Sequence, residues 1–182
     1  MKKYIIFTVL TVISVVADQL SKLWIVNNLR YRRDEIELIQ GLLSFVHAQN
    51  HGAAFGILQG QMIVFAIFTV IALGVLGQML WELDKDDLFQ NVALAMIASG
   101  ALGNAIDRAR LGYVTDFIRV YTENPKVAAF CIKWFGTTEW PSFNVADTTI
   151  VIGLLMFLFH YLFLEEKADK KNAPTPEATA EG

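Results

Sequence analysis

The stretch MIVFAIFTVIALGVLGQMLW, residues 62–81, decides the fold class, because Gln78 is its only strongly polar member. Its length is close to the roughly 20 residues that an α-helix needs to cross the hydrocarbon core of a bilayer. Apolar runs of similar length occur at residues 4–26, 88–106 and 145–164. Unpaired backbone groups are costly in lipid, so such runs must form helices. The sequence therefore predicts an α-helical integral membrane protein with four transmembrane helices.

The composition supports this class and excludes others. Of the 182 residues, 54% are hydrophobic and only 18% are charged, which is more apolar than a soluble domain of this size needs to be. The net charge of −3 and the absence of a basic stripe argue against a nucleic-acid partner. Cys131 is the single cysteine, so an intrachain disulfide is impossible, and we interpret it as a small apolar filler. No cluster of histidines and cysteines suggests a metal, and no cofactor is expected.

The first run has an alternative interpretation, because Met1-Lys2-Lys3 followed by an apolar stretch to Ala17 is also typical of a cleavable signal peptide. We favour a retained span, since the helical pattern continues to Val26 with its polar members on one face. Four spans place both termini on one side of the membrane. The positive-inside rule does not orient them, because lysines and arginines are more numerous on the side opposite the termini.

Two long connections, residues 27–61 and 107–144, lie on that opposite side. Residues 37–47 are rich in β-branched and aromatic side chains with Gly41 at an expected turn, and residues 113–121 nearly alternate. These segments predict a small antiparallel sheet at the membrane surface, followed by a turn at Asn124-Pro125. We expect a single domain over residues 1–164 and a charged, disordered tail over residues 165–182.

Ionisable residues at the ends of spans are candidate functional residues by default. Asp18 and Lys22 are four residues apart, so they share a helix face and can form an ion pair. The small residues Ala95, Ser99 and Gly103 form a row that allows another helix to approach closely. Asn144 and Asp147 can be explained as caps of the fourth helix. The four-span topology nevertheless brings one whole polar set to the same membrane face, namely Asp18, Asn104, Asp107, Arg108, Asp116, Asn144 and Asp147.

Several carboxylates with asparagines and one arginine favour carboxylate chemistry. Two neighbouring carboxylates cannot both ionise readily, so they share a proton, and one then acts as base while the other acts as acid. Such a pair activates water against an amide without a covalent intermediate. Spacing alone leaves open which two carboxylates form the pair.

Five motifs in fixed order resemble the conserved blocks of the type II, or lipoprotein, signal peptidases, over roughly residues 4–164. They are DQLSK at 18–22, NHGAAF at 50–55, SGALGNAIDR at 99–108, VTDF at 114–117 and FNVAD at 143–147. A lone DQxxK motif would be weak evidence for this family, whereas five motifs in order in a four-span protein are specific evidence for it. The sequence departs from the family pattern at Ser99, where glycine is frequent, and at His51. It also has a longer segment at 122–141, whose aromatic residues suit a membrane interface.

The resemblance implies an intramembrane aspartyl endopeptidase with Asp116 and Asp147 as the catalytic dyad. The substrate would be a prolipoprotein whose cysteine carries diacylglycerol, cut just before that cysteine. Arg108 and Asn50 would contact substrate carbonyls, while Asn104 and Asp107 would support the dyad.

The resemblance also implies a bacterial inner-membrane location, cytoplasmic termini, an extracytoplasmic β-cradle with a short surface helix near residues 53–59, and inhibition by globomycin-type peptides. The surrounding site residues would be Asp18, Lys22, Asn50, Gly52, Asn104, Asp107, Arg108 and Asn144.

Two other functions remain open from the residues alone. A transporter or proton channel would use the intramembrane charges Asp18, Lys22 and Asp147, but the polar path stops in the second and fourth spans. A non-catalytic membrane scaffold would explain the small-residue row and leave Asp116 without a purpose.

Overall fold

A computed structural model describes residues 1–52 and 60–165 of the chain. The described residues include four helices that are long and apolar enough to span a membrane. They are α1 (Lys2–Asn28), α2 (Met62–Glu82), α3 (Leu88–Leu111) and α5 (Val145–Phe159), and α5 continues as a π-helical turn, His160–Glu165. The prediction of four spans is confirmed. The third helix is longer than predicted, and Asp107 therefore lies on α3 rather than in a connection.

Helix α3 is the centre of the bundle. Half of its most apolar stretch is buried, against 11% for each of the other three spans. Leu94 and Ala98 of α3 pack with Leu76 and Leu80 of α2 in one apolar cluster. The outward faces of α1, α2 and α5 are rich in exposed large apolar side chains, as expected for surfaces in contact with lipid. Helix α3 also has four buried polar residues, Asn91, Ser99, Asn104 and Asp107.

Small residues allow two helices to approach α3 closely. A Cβ added at Gly100 would collide with the carbonyl oxygen of Ala146 on α5. A Cβ at Gly103 would lie 2.6 Å from Asp18 Oδ2 on α1, so this side of α3 also has no room for a methyl group. Ala95, Ser99 and Gly103 are all buried, which agrees with the helix contact predicted from their spacing.

Three strands form one antiparallel sheet in the order β1, β2, β3. They are β1 (Glu35–Ile39), β2 (Leu43–Asn50) and β3 (Val114–Val120). Gly41 lies between β1 and β2 with a φ of +67°, a conformation that glycine adopts without strain, so the predicted turn is confirmed. In the pairing of β2 with β3, Ala48 is opposite Asp116 and Asn50 is opposite Val114. The register thus brings Asn50 and Asp116 to the same end of the sheet.

The N-terminus is built into the fold. Lys3 Nζ donates hydrogen bonds to the carbonyl oxygens of Trp81 and Leu83, at 2.9 and 2.6 Å. A cation at the C-terminal end of α2 satisfies carbonyls that the helix leaves unpaired and complements the helix dipole. Asn91 Nδ2 donates to the carbonyl oxygen of Lys3 at 2.9 Å. The first run thus packs against α2 and α3 as a retained span would.

One prediction about the second connection is wrong. Asn124-Pro125 begins a helix instead of forming a turn, because the Asn124 side chain accepts hydrogen bonds from the backbone N–H groups of Lys126 and Val127, while proline suits the first helical position. This helix, α4, spans Pro125–Phe135. The predicted surface helix at residues 53–59 and the tail beyond residue 165 lie outside the described residues.

Candidate active site

Asn144 joins the two carboxylates that the family resemblance singles out. Its Nδ2 donates to Asp116 Oδ1 at 2.7 Å. Its side chain also forms a capping box with Asp147 at the start of α5, in which Asn144 Oδ1 accepts from the backbone N–H of Asp147 and the backbone N–H of Asn144 donates to Asp147 Oδ2. The capping interpretation of these two residues is therefore correct. Asn144 therefore contacts both carboxyl groups.

The remaining carboxylate oxygens accept hydrogen bonds from two further asparagines. Asn104 Nδ2 on α3 donates to Asp147 Oδ1 at 2.7 Å, and Asn50 Nδ2 on β2 donates to Asp116 Oδ2 at 3.0 Å. Every oxygen of the pair thus accepts at least one hydrogen bond. The carboxyl groups come from β3 and α5, and their donors come from three elements, so the arrangement depends on the assembled fold.

The two carboxyl groups differ in exposure. Asp116 is 3% exposed, whereas Asp147 is partly exposed. Burial, followed by the negative charge of Asp147, raises the pKa of Asp116 to about 7, while hydrogen bonds from Asn50 and Asn144 and the positive charge of Lys22 oppose this rise. Asp116 can therefore keep a proton near neutral pH. A carboxyl group that holds a proton beside a second carboxylate is the arrangement that general acid–base chemistry requires.

A buried cluster of charges lies beside the pair. Lys22 Nζ is 2.9 Å from Asp18 Oδ2 and 3.2 Å from Asp107 Oδ2, and all three side chains are at most 4% exposed. The backbone N–H of Ala146 donates to Asp18 Oδ1, and the backbone N–H of Thr115 donates to Asp107 Oδ2. Buried charges are stable only when paired and hydrogen-bonded, and here these contacts connect α1, α3, β3 and α5.

Lys22 also fixes the orientation of Asn104. Its Nζ donates to Asn104 Oδ1 at 3.1 Å, and Asn144 Nδ2 donates to the same oxygen at 3.2 Å. With its oxygen occupied by two donors, Asn104 must direct its Nδ2 group toward Asp147. The buried charge cluster is thereby coupled to the carboxylate pair through one amide.

Arg108 lies at the partly exposed side of the site. Its Nη2 donates to the carbonyl oxygen of Gly52 at 3.3 Å, and its guanidinium lies over the ring of Phe65, 4.3 Å from the ring centroid. The Asn50 side chain is engaged at both ends, since its Oδ1 accepts from the backbone N–H of Gly52 at 3.0 Å. Arg108 and Asn50, the residues expected to contact substrate, are therefore linked through the backbone of Gly52, and Asn50 also contacts Asp116.

Sequence reasoning missed Gln19 as a member of this site. Its Nε2 donates to Asp18 Oδ2 at 3.1 Å and to Asp107 Oδ1 at 3.0 Å, so it bridges the two carboxylates that pair with Lys22. A neutral amide directly after Asp18 in an otherwise apolar run is the signal that could have indicated it. Phe65 was also missed, because an aromatic residue in an apolar span gives no signal of a cation above its ring.

Comparisons with known proteins agree with these motifs. A family model described as signal peptidase (SPase) II matches residues 10–163. The lipoprotein signal peptidase of Enterococcus faecalis is 36% identical over 167 residues, which are 92% of this chain and 93% of that protein. The lipoprotein signal peptidase of Geobacter sulfurreducens is 35% identical over 174 residues, covering 94% of this chain and 98% of the relative.

Solved structures agree in fold. One bacterial membrane enzyme, determined by the in meso method at 2.3 Å resolution, superposes with a TM-score of 0.72 and 32% identity over 93% of each chain. A second, at 1.9 Å, gives a TM-score of 0.68 with 34% identity, covering 86% of this chain and 92% of that one. These matches agree with the four spanning helices, the three-stranded sheet and the ordered motifs. This multi-pass bacterial membrane protein therefore belongs to the signal peptidase II family of lipoprotein-processing proteases.

Proposed function

We propose that the chain is an aspartyl endopeptidase that removes the signal peptide from diacylglyceryl-modified prolipoproteins, and that Asp116 and Asp147 are its catalytic dyad. The observation that carries this proposal is the pair of carboxyl groups joined through Asn144, one of them with a pKa of about 7. Two such groups with different environments can divide the roles of acid and base.

In the proposed reaction, the Asp147 carboxylate accepts a proton from a water molecule while the water oxygen attacks the carbonyl carbon of the scissile amide. Asp116 begins the step protonated and gives its proton to the departing nitrogen as the C–N bond breaks. The products are the carboxyl terminus of the signal peptide and the free amino group of the lipid-bearing cysteine. The partly exposed Asp147 is the group that water can reach, which supports its role as base.

Substrate contacts are assigned to Arg108 and Asn50, with Gly52 beside them. Arg108 is partly exposed and has donors left over beyond its contact with the Gly52 carbonyl. A peptide carbonyl or a globomycin-type cyclic peptide would compete for these donors. Five residues are assigned to support of the dyad. Asn104 and Asn144 touch it directly, Lys22 reaches it through Asn104, and Asp18 and Asp107 hold Lys22.

The proposed orientation has both termini in the cytoplasm and the dyad at the extracytoplasmic face of the inner membrane. The sheet and the dyad share one end of the helix bundle, whereas Lys3 and the connection between α2 and α3 lie at the other end. A precursor exported through the membrane with its signal peptide still inserted would present its cleavage site at the sheet end.

A cleavage assay with two precursor peptides tests this function. The purified protein in phosphatidylglycerol-containing liposomes should cut a peptide whose cysteine carries diacylglycerol and leave the same peptide with a free thiol uncut. Mass spectrometry should locate the cut at the bond before the cysteine. Cleavage at another bond, or equal cleavage of both peptides, would contradict the proposal.

A further inference from the structure

Helix α4, Pro125–Phe135, is not used by the proposed reaction, and its surface is unusual. Gly136 ends it in the left-handed conformation, with φ of +74°, and the Asn124 side chain caps its start, so both ends are well formed. Yet α4 has no buried residue. Helices shorter than about 12–15 residues are marginal in water on their own. A capped short helix without a buried face needs an apolar surface from outside the described chain.

The side chains of α4 divide by face. Val127, Phe130 and Trp134 are spaced by three and four residues and therefore share one face, and they are 47%, 57% and 66% exposed. Lys126 and Lys133 are two turns apart on another face, and both are exposed. Ile132 and Phe135, 56% and 66% exposed, extend the apolar surface. The helix is thus amphipathic, with its apolar surface largely uncovered by the described protein.

The connection of α4 to the rest of the chain limits what can cover that surface. The segments before and after α4 are hydrogen-bonded to each other at the end of β3. The backbone N–H of Thr122 donates to the Thr138 carbonyl oxygen at 3.0 Å, and that of Trp140 donates to the Val120 carbonyl oxygen at 2.9 Å. The chain then enters the spanning helix α5 at Val145. The helix therefore leaves and re-enters the protein at the end of the bundle where a span begins, next to the lipid that surrounds the spans.

We propose that α4 is an in-plane membrane anchor, with its Val127, Phe130 and Trp134 face in the interface of the outer leaflet and its lysines toward the headgroups and water. An apolar face with tryptophan and phenylalanine, bordered by lysines on a separate face, is the composition of interfacial helices. Lysine also favours a surface that carries anionic lipid. Because β3 carries Asp116, the anchor would fix the height of this strand relative to the bilayer.

Spin labels at two neighbouring residues that lie on different faces of α4 test the proposal. In a Cys131→Ser background, which removes the single cysteine, a nitroxide is attached at Trp134→Cys or, as the matched control, at Lys133→Cys. The protein is reconstituted in liposomes of phosphatidylcholine and phosphatidylglycerol. The ratio of collisions with oxygen to collisions with a water-soluble nickel complex should be at least about fivefold higher at 134 than at 133.

A second labelled variant, Phe130→Cys, keeps the test decisive if the change at Trp134 perturbs the helix. Equally low ratios at both positions would overturn the proposal by showing that the helix lies in water. Low access to both reagents together with dipolar broadening between labels would overturn it in favour of a second copy of the chain. The readout requires no catalysis, so its failure is separate from failure of the proposed reaction.

Discussion

Replacing Asp116 or Asp147 by asparagine should lower kcat/KM for a diacylglyceryl-modified precursor by about 10³- to 10⁴-fold, the size expected when a general acid or base is lost. Asparagine has nearly the same shape as aspartate but cannot accept and release the proton that the reaction needs. Both variants should have a similarly large effect, because neither partner can perform the acid and base roles alone. The measurement is the rate of release of the signal peptide in liposomes.

A matched variant separates the loss of chemistry from a general effect of removing a carboxylate. Asp34 lies before β1 outside the spans, and its pairing with Arg30 is at the surface, where ion pairs contribute little to stability. Asp34→Asn should leave the rate within about twofold of wild type. All three variants should insert and melt at similar temperatures. Full activity of Asp116→Asn or Asp147→Asn would exclude the dyad.

Replacing Lys22 by methionine should lower the free energy of unfolding by about 3–5 kcal/mol, because it leaves Asp18 and Asp107 buried without their cation. It should also reduce activity, since Asn104 loses the donor that directs its Nδ2 group toward Asp147. The measurement is the unfolding equilibrium in mixed micelles as the fraction of denaturing detergent is increased. Lys2→Met is the matched control, because Lys2 is exposed on the same helix and should change stability little.

A second substitution distinguishes the charge explanation from simple loss of packing. Adding Asp107→Asn to Lys22→Met removes one of the two unpaired carboxylates and should recover part of the lost stability. The oxygen of the new amide can still accept from the backbone N–H of Thr115, whereas Gln19 must turn its own amide oxygen, instead of its Nε2 group, toward the new Nδ2 group. The charge explanation would be wrong if Asp107→Asn lowered the stability of the Lys22→Met protein as much as it lowers that of the wild type. That result would show that the carboxylates do not depend on Lys22.

The spans could be predicted from sequence because lipid imposes one simple requirement, a long apolar helix. The sheet was also predictable, since Gly41 and the alternation around Asp116 are local signals. The start of α4 was not recognised, because Asn-Pro favours both a turn and a helix N-terminus, and the choice depends on the residues that follow. The pattern thus predicts elements well and their boundaries less well.

The candidate site was predictable as a set of residues but not as a network. Intramembrane charge indicated Asp18 and Lys22, and the family motifs indicated the dyad. The contacts of Asn144 with Asp116 and of Gln19 with Asp107 join residues far apart in sequence, so spacing contains no information about them. The same holds for Phe65 beneath Arg108, which depends on how α2 packs beside α3.

The pH dependence of cleavage tests the shared proton most directly. The pKa of Asp116 is about 7, so rising pH removes the proton that the departing nitrogen requires, and kcat/KM should fall about tenfold per pH unit above this value. Because the hydrogen bond from Asn50 lowers the pKa of Asp116, Asn50→Ala should move the decline to higher pH. A decline centred near pH 7 that moves upward in Asn50→Ala is the predicted result. A rate that stays constant or rises from pH 6 to about 9 would contradict a dyad that shares one proton.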